Sequence, residues 1–372
     1  MPSTTTWGRS LAASIVKHLP DVEDEVLRNR PVSAYLKDRG RFLFNQGGNG
    51  FDWRIKYKLH TVQGNTGETA RNFTRTNRYQ IAELEYRGYQ VVDAIYKKEM
   101  LENRGPEQII DLAGDMVEDL TESLDEHIGD QWYVDGNLAG NENSLHGFES
   151  MMGIDGSVNI TTGAQESSAR AADLYGWASD TYANLTTGLG DYGGSQTSGV
   201  WPDGQAQPAY DFWSPVVANY TSTALPGSSD TWAAQGIEAI RALQIAVHRN
   251  GGQNNAADFG VLDRSLYRDL LNLLDDKERV LVTNDAGLRS FGFKNVVEID
   301  GVEWTHDYGV PVNVGYVFNV DQMDVRSMQA TFLNSDENEW DIDSQSMKYV
   351  VDCLANIKFK SPRNFGKLQN IA

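Results

Sequence analysis

The first pattern along the chain is alternation. Phe51, Trp53, Ile55, Tyr57 and Leu59 alternate with Asp52, Arg54, Lys56, Lys58 and His60, a strict period of two that predicts a strand with one buried face. A second alternating run follows at Ala82, Leu84 and Tyr86, interleaved with Glu83, Glu85 and Arg87. Residues 61–77 between them are rich in Thr, Asn and Gly, so the two strands make an extended hairpin with a long polar tip. A two-stranded piece of this kind has little core of its own. It is expected to be stabilised by other subunits.

The period then changes. Ile109, Leu112, Ala113, Met116, Val117, Leu120, Leu124 and Ile128 fall on a 3.6-residue stripe behind Pro106, which suits a first helical turn; together they predict a helix over 106–133. At ~1.5 Å per residue it spans roughly 40 Å. Its other face carries Asp111, Asp115, Glu118, Asp119, Glu122, Asp125, Glu126 and Asp130, and no Lys or Arg occurs from 105 to 169.

Elsewhere the signals are shorter. Apolar spacing predicts helical turns at 10–19 and 33–39 in an N-terminal arm. Residues 136–229 read as loops and short strands. A helix over 231–249 is followed by Gly251 and Gly252 as a stop, then by a strand at 258–262 and a helix capped by Asp263. Further strands are expected at 280–282, 296–299 and 315–320. No fixed-period repeat is present.

Composition narrows the choice of function. Among 372 residues, 52 Asp and Glu against 32 Lys and Arg give a net charge of −20, while 40% hydrophobic residues supply ample core. A disordered chain is excluded, and a charge of this sign disfavours tight packing on nucleic acid or on anionic membranes. The single Cys353 forms no intrachain disulfide. Lys17 and His18 interrupt the one short apolar run near the N-terminus, so no secretory signal or membrane span is expected and the chain is read as soluble and cytosolic in origin.

Motifs for chemistry are missing. Asp135-Gly136-Asn137 resembles the start of a calcium loop, but position twelve is His146, not a bidentate Glu. There is no HExxH, GxSxG or GxxxxGK[ST], and the glycines of 188–194 neither follow a strand nor open a helix. A sugar-binding or hydrolysing extracellular protein fits the Trp, Tyr and Asp content, but sequence alone pairs no two carboxylates and no export signal precedes them. No catalytic, cofactor or metal residue is assigned.

The order and local wording of several segments resemble the major capsid (coat) proteins of tailed bacteriophages, the Hong Kong 97-type family. Ser33 to Lys37 with Gly40-Arg41 resembles the family's entry to its extended loop. Asn103-Arg104-Gly105-Pro106-Glu107-Gln108 with Ile109 to Leu112 is similar to the opening of its spine helix. Asp135-Gly136-Asn137 with Leu145 to Phe148, then Asn250-Gly251-Gly252 with Asp258 and Leu262, follow in order. Gly292-Phe293-Lys294 with Gly301, Asp307, Pro311 and Phe318-Asn319, and finally Asn356 through Leu368 with Ser361-Pro362-Arg363, complete the series.

The resemblance implies an α+β chain of the Hong Kong 97-type capsid fold. Its divisions would be an N-terminal arm (1–41), an extended hairpin loop (42–92), a peripheral domain with the spine helix (93–150), an axial domain (151–300) and a C-terminal return to the peripheral domain (301–372). It further implies a structural virion protein, not an enzyme. Such a chain assembles in the host cytoplasm into hexamers and pentamers of an icosahedral head. A separate scaffolding protein, a portal and decoration proteins would be its partners, with packaged double-stranded DNA inside, contacted weakly and non-specifically. An encapsulin-type bacterial nanocompartment shell shares the fold and is the alternative.

Charge suggests a contact between subunits. Arg54, Lys56 and Lys58 line one face of the hairpin, Arg71, Arg75 and Arg78 lie at its tip, and Asp115, Glu118, Glu122 and Asp125 lie on the acidic helix face. In the family the loop lies across a neighbouring subunit. The basic hairpin is therefore expected to dock on the acidic helix of an adjacent copy, while Arg54 and Lys56 have a local alternative in Glu83 and Glu85 across the hairpin. The charge of −20 also sets an expectation for DNA: a gel shift with the isolated chain at ~150 mM salt shows only weak retention without sequence preference, and a tight specific complex contradicts it.

Overall fold

The computed structural model describes residues 30–56, 63–65, 67, 71, 73, 75, 77–98, 106–158, 165–166, 174–178, 180–188, 213–226, 229–248, 256–275, 296–335 and 339–370. The helix expected at 10–19, the strand at 280–282, the Gly251-Gly252 stop and Lys58 lie outside them. Four α-helices are described: α1 (Pro31–Asp38), α2 (Pro106–Gln131), α3 (Trp232–Val247) and α4 (Arg264–Asp275).

Helix α2 follows its stripe. Val117, Leu120, Leu124 and Ile128 are buried while Glu118, Asp119, Glu122 and Glu126 are exposed. The buried face lies along two strands that the sequence pattern did not single out, Arg87–Tyr96 and Ser346–Phe359, paired antiparallel from Arg87↔Ala355 to Tyr96↔Ser346. Tyr89 fixes the helix end by donating to Gln131 Oε1 at 2.6 Å. With Phe42–Leu43, Met323–Ser327, Asn334–Ser335 and Glu339–Asp341 these strands form a six-stranded sheet. The 14-residue strand Ser346–Phe359 escaped a period-two reading because its last five residues are all buried. Both of its faces are covered there, so alternation vanishes.

A mixed nine-stranded sheet forms the second layer. Its order is Val297–Ile299, Val302–His306, Phe259–Leu262, Gly315–Phe318, Phe365–Gln369, Val216–Asn219, Tyr175–Ala178, Ile154–Val158 and Gln165–Glu166. Val216, Ala218, Val317 and Leu368 face α3 and α4, joined there by Ile240, Leu243 and Leu270. Gly366 admits α3 closely, because a Cβ there would lie 2.6 Å from Val247. Asp263 does open α4: its carboxylate accepts from the backbone N–H of Arg264 and Ser265 and from Asn313. Residues 301–372, expected to return to the peripheral domain, supply strands to both sheets, because Gly315–Phe318 and Phe365–Gln369 pair with each other inside the nine-stranded one.

Phe148 lies where the two layers meet, beside the direct contact of Phe359 with Phe365 at 5.1 Å. Phe148 is fully buried with ring centroids of Phe318 at 4.9 Å, Tyr316 at 5.3 Å and Phe365 at 6.3 Å, all from the nine-stranded sheet. Phe359, from the six-stranded sheet, is at 5.5 Å. The preceding Gly147 lets this segment pass the end of α2, since a Cβ there would meet the Gln131 carbonyl at 2.5 Å. Beside the rings, Lys367 is buried but paired, its Nζ 2.6 Å from Glu149 Oε1, and Tyr316 donates to the same carboxylate. Phe148→Ala should cost about 3–5 kcal/mol of stability by opening a cavity among these rings. Denaturant unfolding of the unassembled chain measures it, and a loss below about 1 kcal/mol would show that the sheets do not depend on this ring.

Candidate interaction surfaces

The hairpin strands are Gly50–Lys56 and Tyr79–Glu85, in the register Phe51↔Leu84, Trp53↔Ala82 and Ile55↔Gln80. Phe51, Ile55, Ala82 and Leu84 are buried; Asp52, Arg54, Lys56, Glu83 and Glu85 are exposed. The period of two therefore sorts the residues as the sequence predicts. The cover, however, comes from the same chain. Trp53 lies 6.3 Å from the Tyr182 ring and 6.4 Å from Trp213, and Phe51 lies 5.4 Å from Tyr86. At the base, the hairpin needs no second subunit for its core.

A tight turn presents Tyr182. The short strands Thr181–Tyr182 and Leu185–Thr186 are joined by Ala183 and Asn184 at φ 53° and 61°, two successive residues in the left-handed region that this kind of hairpin requires. Ala183 accepts the Glu83 backbone N–H at 3.1 Å. The Tyr182 hydroxyl donates to the Ile357 carbonyl at 3.0 Å and accepts from Phe359 N at 2.9 Å. Asn356 Nδ2 donates to the Glu85 carbonyl at 2.7 Å. Hairpin, turn and the end of strand Ser346–Phe359 are thus laced together by the Tyr182 hydroxyl and the Asn356 amide on backbone groups.

Two cations sit over the hairpin rings. Arg326 lies 5.3 Å from the Phe51 centroid and Lys358 Nζ 4.6 Å from that of Trp53, distances at which a ring face attracts a cation. Burial, and then the Arg326 charge, push the Lys358 ammonium down to about 8, against the pull of Asp324 and Asp52. Asp324 itself is buried and paired with Lys360 at 2.9 Å. Of these, Asn356 opens the C-terminal segment that resembles the family, and the sequence pattern does not single out Tyr182, Arg326 or Lys358. The alternation of Ile357 and Phe359 with Lys358 and Lys360 was the available signal.

Cross-hairpin pairing of Arg54 and Lys56 with Glu83 and Glu85 does not occur. The register sets Arg54 opposite Ile81 and Lys56 opposite Tyr79, and it sets Glu83 opposite Asp52. At the tip Arg71 and Arg75 are exposed, and Arg78 is half-buried with its guanidinium 5.4 Å from the Tyr79 ring. Among the described residues Arg54, Lys56, Arg71 and Arg75 have no ion-pair partner.

On α2, Glu118 and Glu122 are exposed, and the side chain of Asp115 is outside the described residues. Asp125 differs. It is half-buried, and burial, reinforced by Glu122 and Glu126, pushes its carboxyl up to about 6 against the pull of Arg30. Arg30 closes the end of the helix by donating to the Glu126 carbonyl at 3.3 Å and pairing with Asp307 at 3.3 Å, where a cation also meets the negative end of the helix dipole. Among the described residues, no ion pair joins the basic hairpin to the acidic helix within one chain. Nor is any group of three or more His, Cys, Asp or Glu there placed to hold a metal, and no helix is long and apolar enough to cross a membrane.

No protein-family model and no curated protein matches the chain. Solved structures do. The capsid asymmetric unit of cyanophage A-1(L) aligns with a TM-score of 0.55 at 14% identity, over 89% of this chain and 90% of that one. The capsid of a native GTA particle aligns with a TM-score of 0.53 at 10% identity, over 91% of each chain. The fold is therefore the Hong Kong 97-type capsid fold, and it runs through nearly the whole chain.

Lys358 gives a pH test of the hairpin base. The unfolded chain holds this proton up to the ordinary lysine value of 10.5 and the folded chain releases it near 8, so the unfolded state binds more protons between them. Stability of the parent should rise with pH through that window relative to Lys358→Met, which keeps the bulk over Trp53 without the charge. Denaturant midpoints at pH 7.5 and 9.5 read the difference; parallel shifts in both proteins would show that Lys358 keeps its proton.

Proposed function

We propose that the chain is the major capsid protein of a tailed double-stranded DNA bacteriophage, which assembles into hexamers and pentamers of an icosahedral head enclosing the genome. The observation that carries this reading is the end-to-end likeness of its fold to a cyanophage capsid subunit, over 89% of one chain and 90% of the other. On this reading the chain works by assembly rather than catalysis, in the virion. Its partners are other copies of itself, a separate scaffolding protein, a portal and decoration proteins. The divisions at 1–41, 42–92, 93–150, 151–300 and 301–372 belong to the same proposal.

Charge supports the assembly reading. Arg54, Lys56, Arg71 and Arg75, and Glu118 and Glu122, which have no ion-pair partner among the described residues, are complementary charges. We assign the basic hairpin, with Lys58 and Arg78, to the acidic helix face of an adjacent copy, with Asp115 and Asp125 on its margin. DNA inside the head is held weakly, since −20 per subunit repels it.

Electron microscopy of the expressed chain tests the class. Shells or capsomers support a coat protein, shells filled by an enzyme cargo point to a nanocompartment, and a monodisperse monomer overturns both. Charge reversal tests the contact. Single exposed pairs contribute only ~0–1 kcal/mol, but every subunit repeats them. Arg71→Glu, Arg75→Glu and Arg78→Glu together should leave the chain folded and weaken assembly at low salt. Glu118→Lys with Glu122→Lys should partly restore it, whereas Asp125 is a poor choice because it faces Arg30. A triple reversal that assembles as well as the parent removes the contact.

A further inference from the structure

The hairpin opens on Gly47-Gly48-Asn49-Gly50, and register decides which backbone groups there are free. Opposed residues of an antiparallel pair alternate between pairs that exchange hydrogen bonds and pairs that exchange none. Glu83 spends its N–H on the Ala183 carbonyl at 3.1 Å, and the Glu85 carbonyl accepts from the Asn356 amide at 2.7 Å. Both groups therefore turn away from the first strand. Asp52 is opposite Glu83 and Gly50 is opposite Glu85, so these are the non-bonded pairs, and Phe51 with Leu84 is a bonded one. Gly50 points its N–H away from Glu85, and that N–H makes no hydrogen bond elsewhere among the described residues.

Position 50 has to be glycine. A Cβ there would lie 2.6 Å from the Leu84 carbonyl oxygen, a backbone atom of the opposite strand. The missing side chain also leaves Gly50 N unshielded beside the Asn49 side chain. Asn49 is exposed, and its amide makes no hydrogen bond among the described residues. Before it, Gly48 stands at φ 120° and Gly47 has open space around it, so the backbone on that side is free to adjust. Asn45, Asn313 and Asn319 lack this arrangement. The N–H that follows Asn45 is bonded to Ser327 at 3.0 Å, that following Asn313 to Pro311 at 3.2 Å, and that following Asn319 to Asp258 at 2.9 Å.

We infer that Asn49 is a site of self-modification, converted without an enzyme to aspartate and isoaspartate. Gly50 N gives up its proton to water and attacks Asn49 Cγ. The new C–N bond closes a cyclic imide, and the side-chain nitrogen leaves as ammonia. Water then opens the ring at either carbonyl, leaving aspartate or isoaspartate. Nothing is oxidised or reduced, and water is the only co-reactant. An intramolecular attack of this kind needs only that the reacting groups meet, and here neither is held elsewhere. Each conversion adds a negative charge to a cleft that Asn49 lines together with Asp52, Glu83 and Glu85. The hairpin base thus gains charge as the chain ages, and like charges set close across a strand pair destabilise it.

Peptide mapping by mass spectrometry of the full-length chain, incubated at mildly alkaline pH, tests the site. The peptide holding Asn49 should gain the mass of an amide-to-acid exchange and split into aspartyl and isoaspartyl forms. Its rate should stay within about tenfold of that in the denaturant-unfolded chain, a barrier difference of no more than about 1.4 kcal/mol. Peptides holding Asn45, Asn313 and Asn319 should be unchanged over the same interval. Asn49→Gln, whose longer side chain closes the ring poorly, should remove the product. Hydrogen exchange reads the geometry separately, with the Gly50 amide exchanging faster than that of Phe51. Asn49→Asp, which carries the product's charge, should melt below the parent in dilute salt, and an unchanged melt removes the charge effect. Conversion slowed more than about tenfold by folding, product that persists in Asn49→Gln, or a Gly50 amide exchanging no faster than that of Phe51 overturns the assignment.

Discussion

Everything in this fold hangs on covering sheet faces with aromatic rings. Phe148 touches Phe318, Tyr316 and Phe365 of one sheet and Phe359 of the other. It occupies its position only because Gly147 lets the chain turn tightly past the end of α2. Without it the direct ring contact between the sheets that remains beside it is Phe359 on Phe365, at 5.1 Å. The buried Glu149–Lys367 pair beside it is a poor source of net stability by itself, since desolvation of both ions offsets their attraction. Its consequence is alignment, because Glu149 follows Phe148 in one turn and Lys367 comes from the neighbouring strand.

The hairpin is an extension of the same logic. A two-stranded ribbon cannot bury both its faces, so the chain spends Tyr182, Trp213 and Tyr86 on one of them. Arg326 and Lys358 complete the cover, bringing charge against ring faces where an aliphatic side chain would have served for burial alone. The Lys358 ammonium feels the attraction of Asp324 and Asp52. The base is therefore firmly attached to the rest of the chain.

Much of this was legible from sequence where one face is buried and the other is wet. The alternation at Phe51–Ile55 and the stripe through Val117–Ile128 survived intact because each element keeps one solvent face. Strand Ser346–Phe359 was hidden because burial on both sides erased its period. Strand Arg87–Tyr96 was hidden for the opposite reason: Val92 and Tyr96 are exposed on it, so its apolar positions do not mark one face. The helix expectation overran by two residues at Trp132 and Tyr133, which are apolar at the right spacing but belong to the turn that leads to Phe148. Of the proposed contact residues, sequence gave the exposure of Arg54, Lys56, Glu118 and Glu122. Register was beyond it, and register is what separates Arg54 from Glu83.

That separation has a consequence for the whole chain. With 52 acidic and 32 basic residues, acids are in excess, yet among the described residues Arg54, Lys56, Arg71 and Arg75 have no ion-pair partner. Arg54 and Lys56 are held on a hairpin whose opposite strand offers them Ile81 and Tyr79. The helix acids look out from the other partner of the same core. Surface pairs contribute little to folding, so leaving these groups unmatched costs the subunit little stability. Between copies the balance changes. Opposite charges brought within a Debye length of ~8 Å attract, and like charges still exposed repel any other approach. On the proposed assembly, a subunit that satisfied its own charges would lose that directional preference.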